Sequence, residues 1–135
     1  MRHEFEAISS QVIEAAICVH KELGPGYIES IYENALKVAL QHRNIAFEFQ
    51  KPVAIYFEGE LVGEHRLDLL VGNELVVELK AIKALEDIHF AQVKSYLKAT
   101  KLRVGLRFNF NATTLVVKRV VLTQATETND RSLPE

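Results

Sequence analysis

The stretch DLLVGNELVVELK, Asp68 to Lys80, constrains the fold more than any other, because it holds two strand patterns around a turn and only one register keeps their apolar residues together. Side chains alternate across a strand, so a slip of one residue moves all of them to the other face. Leu67, Leu69 and Val71 share one face of the first strand, with Arg66, Asp68 and Leu70 on the other. In the second strand Leu75, Val77 and Leu79 oppose Glu74, Val76, Glu78 and Lys80. A tight Gly72-Asn73 turn would set Leu67 against Glu78 and mix the faces. A three-residue loop, Gly72-Asn73-Glu74, is an ordinary hairpin length and pairs Val71 with Leu75, Leu69 with Val77 and Leu67 with Leu79. The reading therefore predicts Asp68 directly across from Glu78 and Arg66 across from Lys80. Like charges placed so destabilise a sheet unless something offsets them.

Two carboxylates at cross-strand distance can share a proton or a cation. A hard cation such as Mg2+ takes oxygen ligands from one or two carboxylates and completes its shell with water and phosphate. Lys80 shares the face of Glu78 and is placed to orient or activate a water, or to stabilise charge on a phosphate. Such a set is suited to phosphodiester hydrolysis. On the spacing alone, a solvated sheet face carrying Glu and Lys for solubility is an equal alternative.

With 135 residues, 48% of them hydrophobic and 25% charged, the chain has the size and composition of one globular domain with a substantial core. The domain is expected over residues 1–121, with 122–135 a disordered tail. No apolar run is long enough for a membrane span or a secretion signal, so no membrane association and a cytoplasmic location are expected. Cys18 is the sole cysteine, which excludes an intrachain disulfide and a thiolate cage; it is expected to be a small buried helix residue. The net charge of -2 does not suggest a general nucleic-acid binder, but its distribution is uneven. Residues 1–79 hold 6 Lys/Arg and 13 Asp/Glu, whereas residues 80–121 hold 9 and 2, a swing from -7 to +7. The basic part comprises Lys80, Lys83, Lys94, Lys98, Lys101, Arg103, Arg107, Lys118 and Arg119, a flank that a polyanion approaching the carboxylates requires. Charge balance between the two halves accounts for it equally well.

Along the chain, ISSQVIEAAICVHKEL has helical periodicity, with Ser9 or Ser10 as cap, and GPGY breaks it. A second helix follows, with Ile28, Ile31, Ala35, Val38 and Ala39 as its apolar stripe. Three antiparallel strands are predicted next, the first turn near Gly59. EDIHFAQVKSYLKAT is acidic at its start and basic at its end, as a helix dipole favours. RVGLRFNF and TTLVVKRVVL close the domain as two strands, giving the order ααβββαββ.

Five blocks in this order, HKELGPGYIESIYENAL, HRLDLLV, VVELKA, Gln92-x-x-x-Tyr96 and GLRFNF, together resemble the GxxExxY proteins of the PD-(D/E)XK nuclease-like superfamily. The first block contains Gly26-x-x-Glu29-x-x-Tyr32. The resemblance implies an α/β (α+β) fold: a mixed sheet in a restriction-endonuclease-like αβββαβ core, with an extra N-terminal helix. It also implies that Asp68, Glu78 and Lys80 are the catalytic set, that Glu29 is an additional acidic residue, and that Gln92 and Tyr96 match a Q-x-x-x-Y element. Leu67 stands where the superfamily name has Pro. Helix spacing independently puts Glu29 with Tyr32, and Gln92 with Tyr96, on shared faces.

The leading expectation is a Mg2+- or Mn2+-dependent nuclease acting on DNA. Asp68, Glu78, the Leu79 carbonyl and Glu29 would serve the metal, Lys80 the attacking water, and Lys94, Lys98 and Tyr96 the nucleic acid. Two other readings are a nucleic-acid-binding module that keeps the fold without turnover, and a protein-interaction domain forming a homodimer through its acidic and basic halves.

Overall fold

The alternating segments and short turns build one five-stranded sheet in a computed structural model that describes residues 2–122, with side chains from residue 7 onward. Residues 123–135, expected as a tail, lie outside the described part. The elements run α1 (Arg2–Leu23), α2 (Glu29–His42), β1 (Phe47–Phe57), β2 (Glu60–Val71), β3 (Leu75–Lys80), α3 (Asp87–Thr100), β4 (Val104–Asn109) and β5 (Val116–Val121). Strand order in the sheet equals chain order. β3 and β4 are parallel, the other neighbours antiparallel. A parallel neighbour needs a crossover, and α3 is that crossover. The αβββαβ core and the additional helix are therefore present, with β5 added at the edge. Among the described residues no helix is long and apolar enough to cross a membrane.

Strand alternation divides the core between the two sheet faces. Leu69, Val71, Leu75, Val77, Leu79, Leu106 and Phe108 pack with α1 and α2. Leu70, Val76 and Val120 pack with Val93 and Leu97 of α3. Gly105 lets α3 sit close to β4: a Cβ added there would meet Val93 Cγ1 at 2.7 Å. Val is stiff at χ1 and has little room to yield. Gly105→Ala is therefore expected to cost about 1–3 kcal/mol by overpacking, read as a lower urea midpoint with an unchanged m-value.

Four local expectations are corrected. Helix α1 begins at Arg2, so Ser9 and Ser10 lie inside it; Ser9 is fully buried rather than a cap. Cys18 is exposed, because Val12, Ala15, Ala16 and Val19 occupy the core-facing side of α1. Helix α2 is rotated from its predicted stripe: Ile28, Ile31 and Val38 are exposed, while Tyr32, Glu33, Leu36, Ala39 and Leu40 are buried. Tyr32 accounts for the rotation. Its hydroxyl donates to the Gly24 carbonyl at 2.6 Å and accepts from the Tyr27 N–H at 3.1 Å, while its ring stacks on Phe110 with centroids 4.6 Å apart. Gly26 turns the chain into α2 with φ 114°, as its place after Pro25 suggested. Lastly, Leu122 is no tail residue: it is buried and its N–H donates to the Arg103 carbonyl at 2.8 Å.

Candidate active site

The β2–β3 hairpin has the register that its apolar residues demanded, but only in part. Val71 pairs with Leu75, Leu70 with Val76 and Leu69 with Val77, and there the regular ladder stops. Leu67 is not set against Leu79. It packs in the α3 cluster, whereas Leu79 packs with α1 and α2. Arg66 lies against β1, across from Pro52, and its guanidinium reaches the Gln50 carbonyl at 3.4 Å instead of facing Lys80.

Carboxylates cause the break. The Leu79 N–H donates to Asp68 Oδ2 at 2.8 Å, and the Asp68 N–H donates to Glu78 Oε2 at 3.4 Å. Each side chain accepts from a backbone donor of the other strand, so the two carboxyl groups are wedged between β2 and β3. Across from Asp68, Gln50 of β1 has φ 54°, a left-handed value unusual for a non-glycine residue. Its side chain is anchored by donation from Nε2 to Glu33 Oε2 at 2.8 Å. β2 changes face at this point, which is why Leu67 and Leu69 join different clusters.

Glu78 is 4% exposed, and that burial, followed by the Asp68 carboxylate beside it, pushes its pKa from 4.5 up to about 9. At neutral pH one proton then serves the pair. Glu29 reaches the same electrostatic environment from the start of α2: burial, then Asp68, raises its pKa, while Lys80 and Arg107 act in the opposite direction. Glu33, one turn further along α2, is raised in the same way, first by burial. The Lys80 backbone is fixed by donation from the Phe110 N–H to its carbonyl at 2.9 Å. Asn109 secures the chain leaving β3, donating to the Ile82 carbonyl at 2.9 Å and accepting from the Ile82 N–H at 3.1 Å.

Helix α3 covers the α3-facing side of the site. Gln92 Oε1 accepts from Arg107 Nη1 at 3.4 Å. The Tyr96 ring stacks on His65 with centroids 3.9 Å apart. Burial and then the Glu78 carboxylate raise the Tyr96 pKa. Lys94 and Lys98 are exposed on the same helix. His89 accepts the Glu86 N–H at 2.7 Å, and so belongs to the start of α3. Asp68, Glu78, Glu29, Lys80, Gln92 and Tyr96 are thus gathered around the split between β2 and β3.

Sequence reasoning missed four neighbours of this cluster: Glu33, Gln50, His65 and Arg107. Arg107 had been counted in the basic flank, yet it is fully buried and pairs in register with Glu78 across the parallel strands. Its signal was available, since RFNF sets a charged residue inside an otherwise apolar strand. The other three depended on contacts of α2 with β1 and of β2 with α3 that spacing does not show.

The oxygen-only donors suit a hard cation. Among the described residues no three His, Cys, Asp or Glu side chains are arranged to hold a metal. Two carboxylates supplemented by a carbonyl and water meet the needs of Mg2+, which keeps several waters.

The mixed sheet with its parallel β3–β4 pair, and the carboxylates at its split hairpin, define a domain of the restriction-endonuclease-like nuclease fold. The family model of the PD-(D/E)XK nuclease superfamily matches residues 6–120, and the chain belongs to that superfamily. No curated protein matches its sequence. Among solved structures, the crystal structure of SSO0001 is similar with TM-score 0.55 and 18% identity, covering 76% of this chain. The match spans 55% of that protein's length.

Proposed function

We propose that the chain is a Mg2+- or Mn2+-dependent nuclease that hydrolyses phosphodiester bonds in DNA, and that Gly26, Glu29 and Tyr32 mark it as a GxxExxY protein. The observation that carries the reading is the wedge at the β2–β3 split, where Asp68 and Glu78 are held against each other by the Leu79 and Asp68 backbone amides. Burying the Glu78 carboxyl group against a half-buried Asp68 is costly, and solubility gives no reason for it.

Asp68 and Glu78, with the Leu79 carbonyl, are the groups to hold the ion, and Glu29 from α2 assists through a water. When bound, the cation supplies charge that stabilises the phosphate and the leaving oxygen. Lys80 extends from the end of β3 on the Glu78 face, where it positions or deprotonates the attacking water. The water oxygen forms the new bond to phosphorus as the bond to the leaving oxygen breaks; the water's proton passes to Lys80 or to solvent, and the leaving oxygen takes up a proton from solvent. Gln92 and Tyr96 border the site from α3. Lys94 and Lys98 on the exposed side of that helix, together with Tyr96, hold the nucleic acid.

The purified protein is expected to cut at least one member of a panel of single-stranded, duplex and branched DNA in millimolar Mg2+ or Mn2+. EDTA is expected to stop the cutting, and RNA to be resistant. Failure to cut any DNA or RNA with either cation would replace this reading with a binding module that retains the fold.

A further inference from the structure

Arg107 is a buried cation at the site that this reading leaves without a task. It is fully buried, its Nε has no hydrogen-bond partner, and its single contact through Nη1 is the 3.4 Å bond to Gln92. Among the described residues it makes no ion pair within 4.0 Å. A buried guanidinium is expensive, and one that served stability alone would be matched by a close, forked carboxylate. Here the charge is provided and left incompletely satisfied, beside Glu78 in the strand register. Both side chains face α3, because Arg107 alternates with Leu106 and Phe108 as Glu78 does with Val77 and Leu79.

Resting on the metal-dependent reading above, we propose that Arg107 is the resident cation of the site, standing beside Glu78 in place of a second metal ion, so that each chain takes up a single divalent cation. The fixed charges agree. Glu29, Glu33, Asp68 and Glu78 set four carboxylates against Lys80 and Arg107, leaving two net negative charges when all are ionised. One divalent ion cancels these two charges. A second ion would leave an excess of positive charge close to a guanidinium that is held by the sheet and cannot retreat into solvent. Arg107 is a positioning residue in this scheme. It acts on the ion and on Gln92, and the substrate does not touch it.

Mn2+ titration of the full chain, followed by calorimetry and by electron paramagnetic resonance, tests the assignment. Wild type is expected to bind one Mn2+ per chain with no spin coupling. Arg107→Met removes the opposing charge at similar length; it is expected to bind Mn2+ on the order of tenfold more tightly or to admit a second, spin-coupled ion. Arg107→Lys keeps the charge and is expected to restore one uncoupled ion at close to wild-type affinity. A spin-coupled pair in wild type would overturn the inference and leave the nuclease reading intact. So would a cooperatively melting Arg107→Met with wild-type affinity and stoichiometry. Absence of any Mn2+ uptake by wild type would remove both. The wild-type stoichiometry and the Arg107→Lys comparison decide the matter even where Arg107→Met does not fold.

Discussion

Between pH 7 and pH 9 the metal-free protein is expected to lose stability by up to about 1.4 kcal/mol per pH unit, the limit for one proton. Glu78→Gln is expected to remove most of that slope. The sign follows from Glu78, whose pKa rises from 4.5 to about 9 on folding, chiefly by burial. The folded state holds a proton that the unfolded chain has already released at pH 7, so the contribution is complete below pH 4.5 and lost as pH climbs through about 9. The window lies above the titration of His65. Burial lowers the His65 pKa from 6.5, which makes stability rise with pH only below that value. Glu29 and Glu33, raised by burial, act in the same direction as Glu78. Gln keeps the shape of the protonated acid, so the variant is expected to fold and to melt with little dependence on pH. Urea denaturation at several pH values, with EDTA present, measures the slope. A wild-type curve that is flat from pH 7 to pH 9 would show that Glu78 is ionised in the fold.

Asp68→Asn is expected to reduce cleavage by roughly three orders of magnitude or more, since removal of a transition-state electrostatic partner commonly costs ~10²–10³ and the cation is lost with it. The variant can still accept the Leu79 N–H through Oδ1, so β2 and β3 are expected to remain joined where Asp68 now joins them. Stabilisation by millimolar Mg2+ or Mn2+, which arises by mass action in wild type, is expected to vanish. DNA binding in Ca2+ is expected to persist. Replacing Lys94 and Lys98 together has the opposite pattern: binding weakens alike on all sequences and its salt dependence flattens, because fewer condensed counterions are released. Labelled-duplex binding at several salt concentrations, measured beside single-turnover cleavage, separates the two variants. Equal loss of binding in both would mean that Asp68 serves the shape of the site and not the cation.

The hairpin shows how far a sequence can be read and where the reading stops. Alternation fixed the three-residue loop and the pairs from Val71 to Leu69 because buried apolar faces tolerate no slip. It failed at Leu67, where Asp68 and Glu78 take backbone donors for themselves and part the strands. Alternation assumes a continuous ladder, and it therefore fails where functional side chains interrupt one. The face of α2 was misjudged for a related reason. Ile28, Ile31 and Val38 look like a stripe, yet the Tyr32 hydroxyl bond to Gly24 decides the rotation. Hydropathy carries no information about that bond. Arg107 was legible as a charged residue in an apolar strand, but its place beside Glu78 depends on the parallel register that α3 creates.

The same crossover bears on the order in which the site forms. Asp68 and Glu78 meet through a three-residue loop, a closure of microseconds, while Arg107 reaches Glu78 only after the chain from residue 81 to 103 has wound into α3 and returned. Pairings at long sequence separation are reached late because their loop entropy is spent before any contact rewards it. The two carboxyl groups are thus brought together on the folding path before their buried counter-charge arrives.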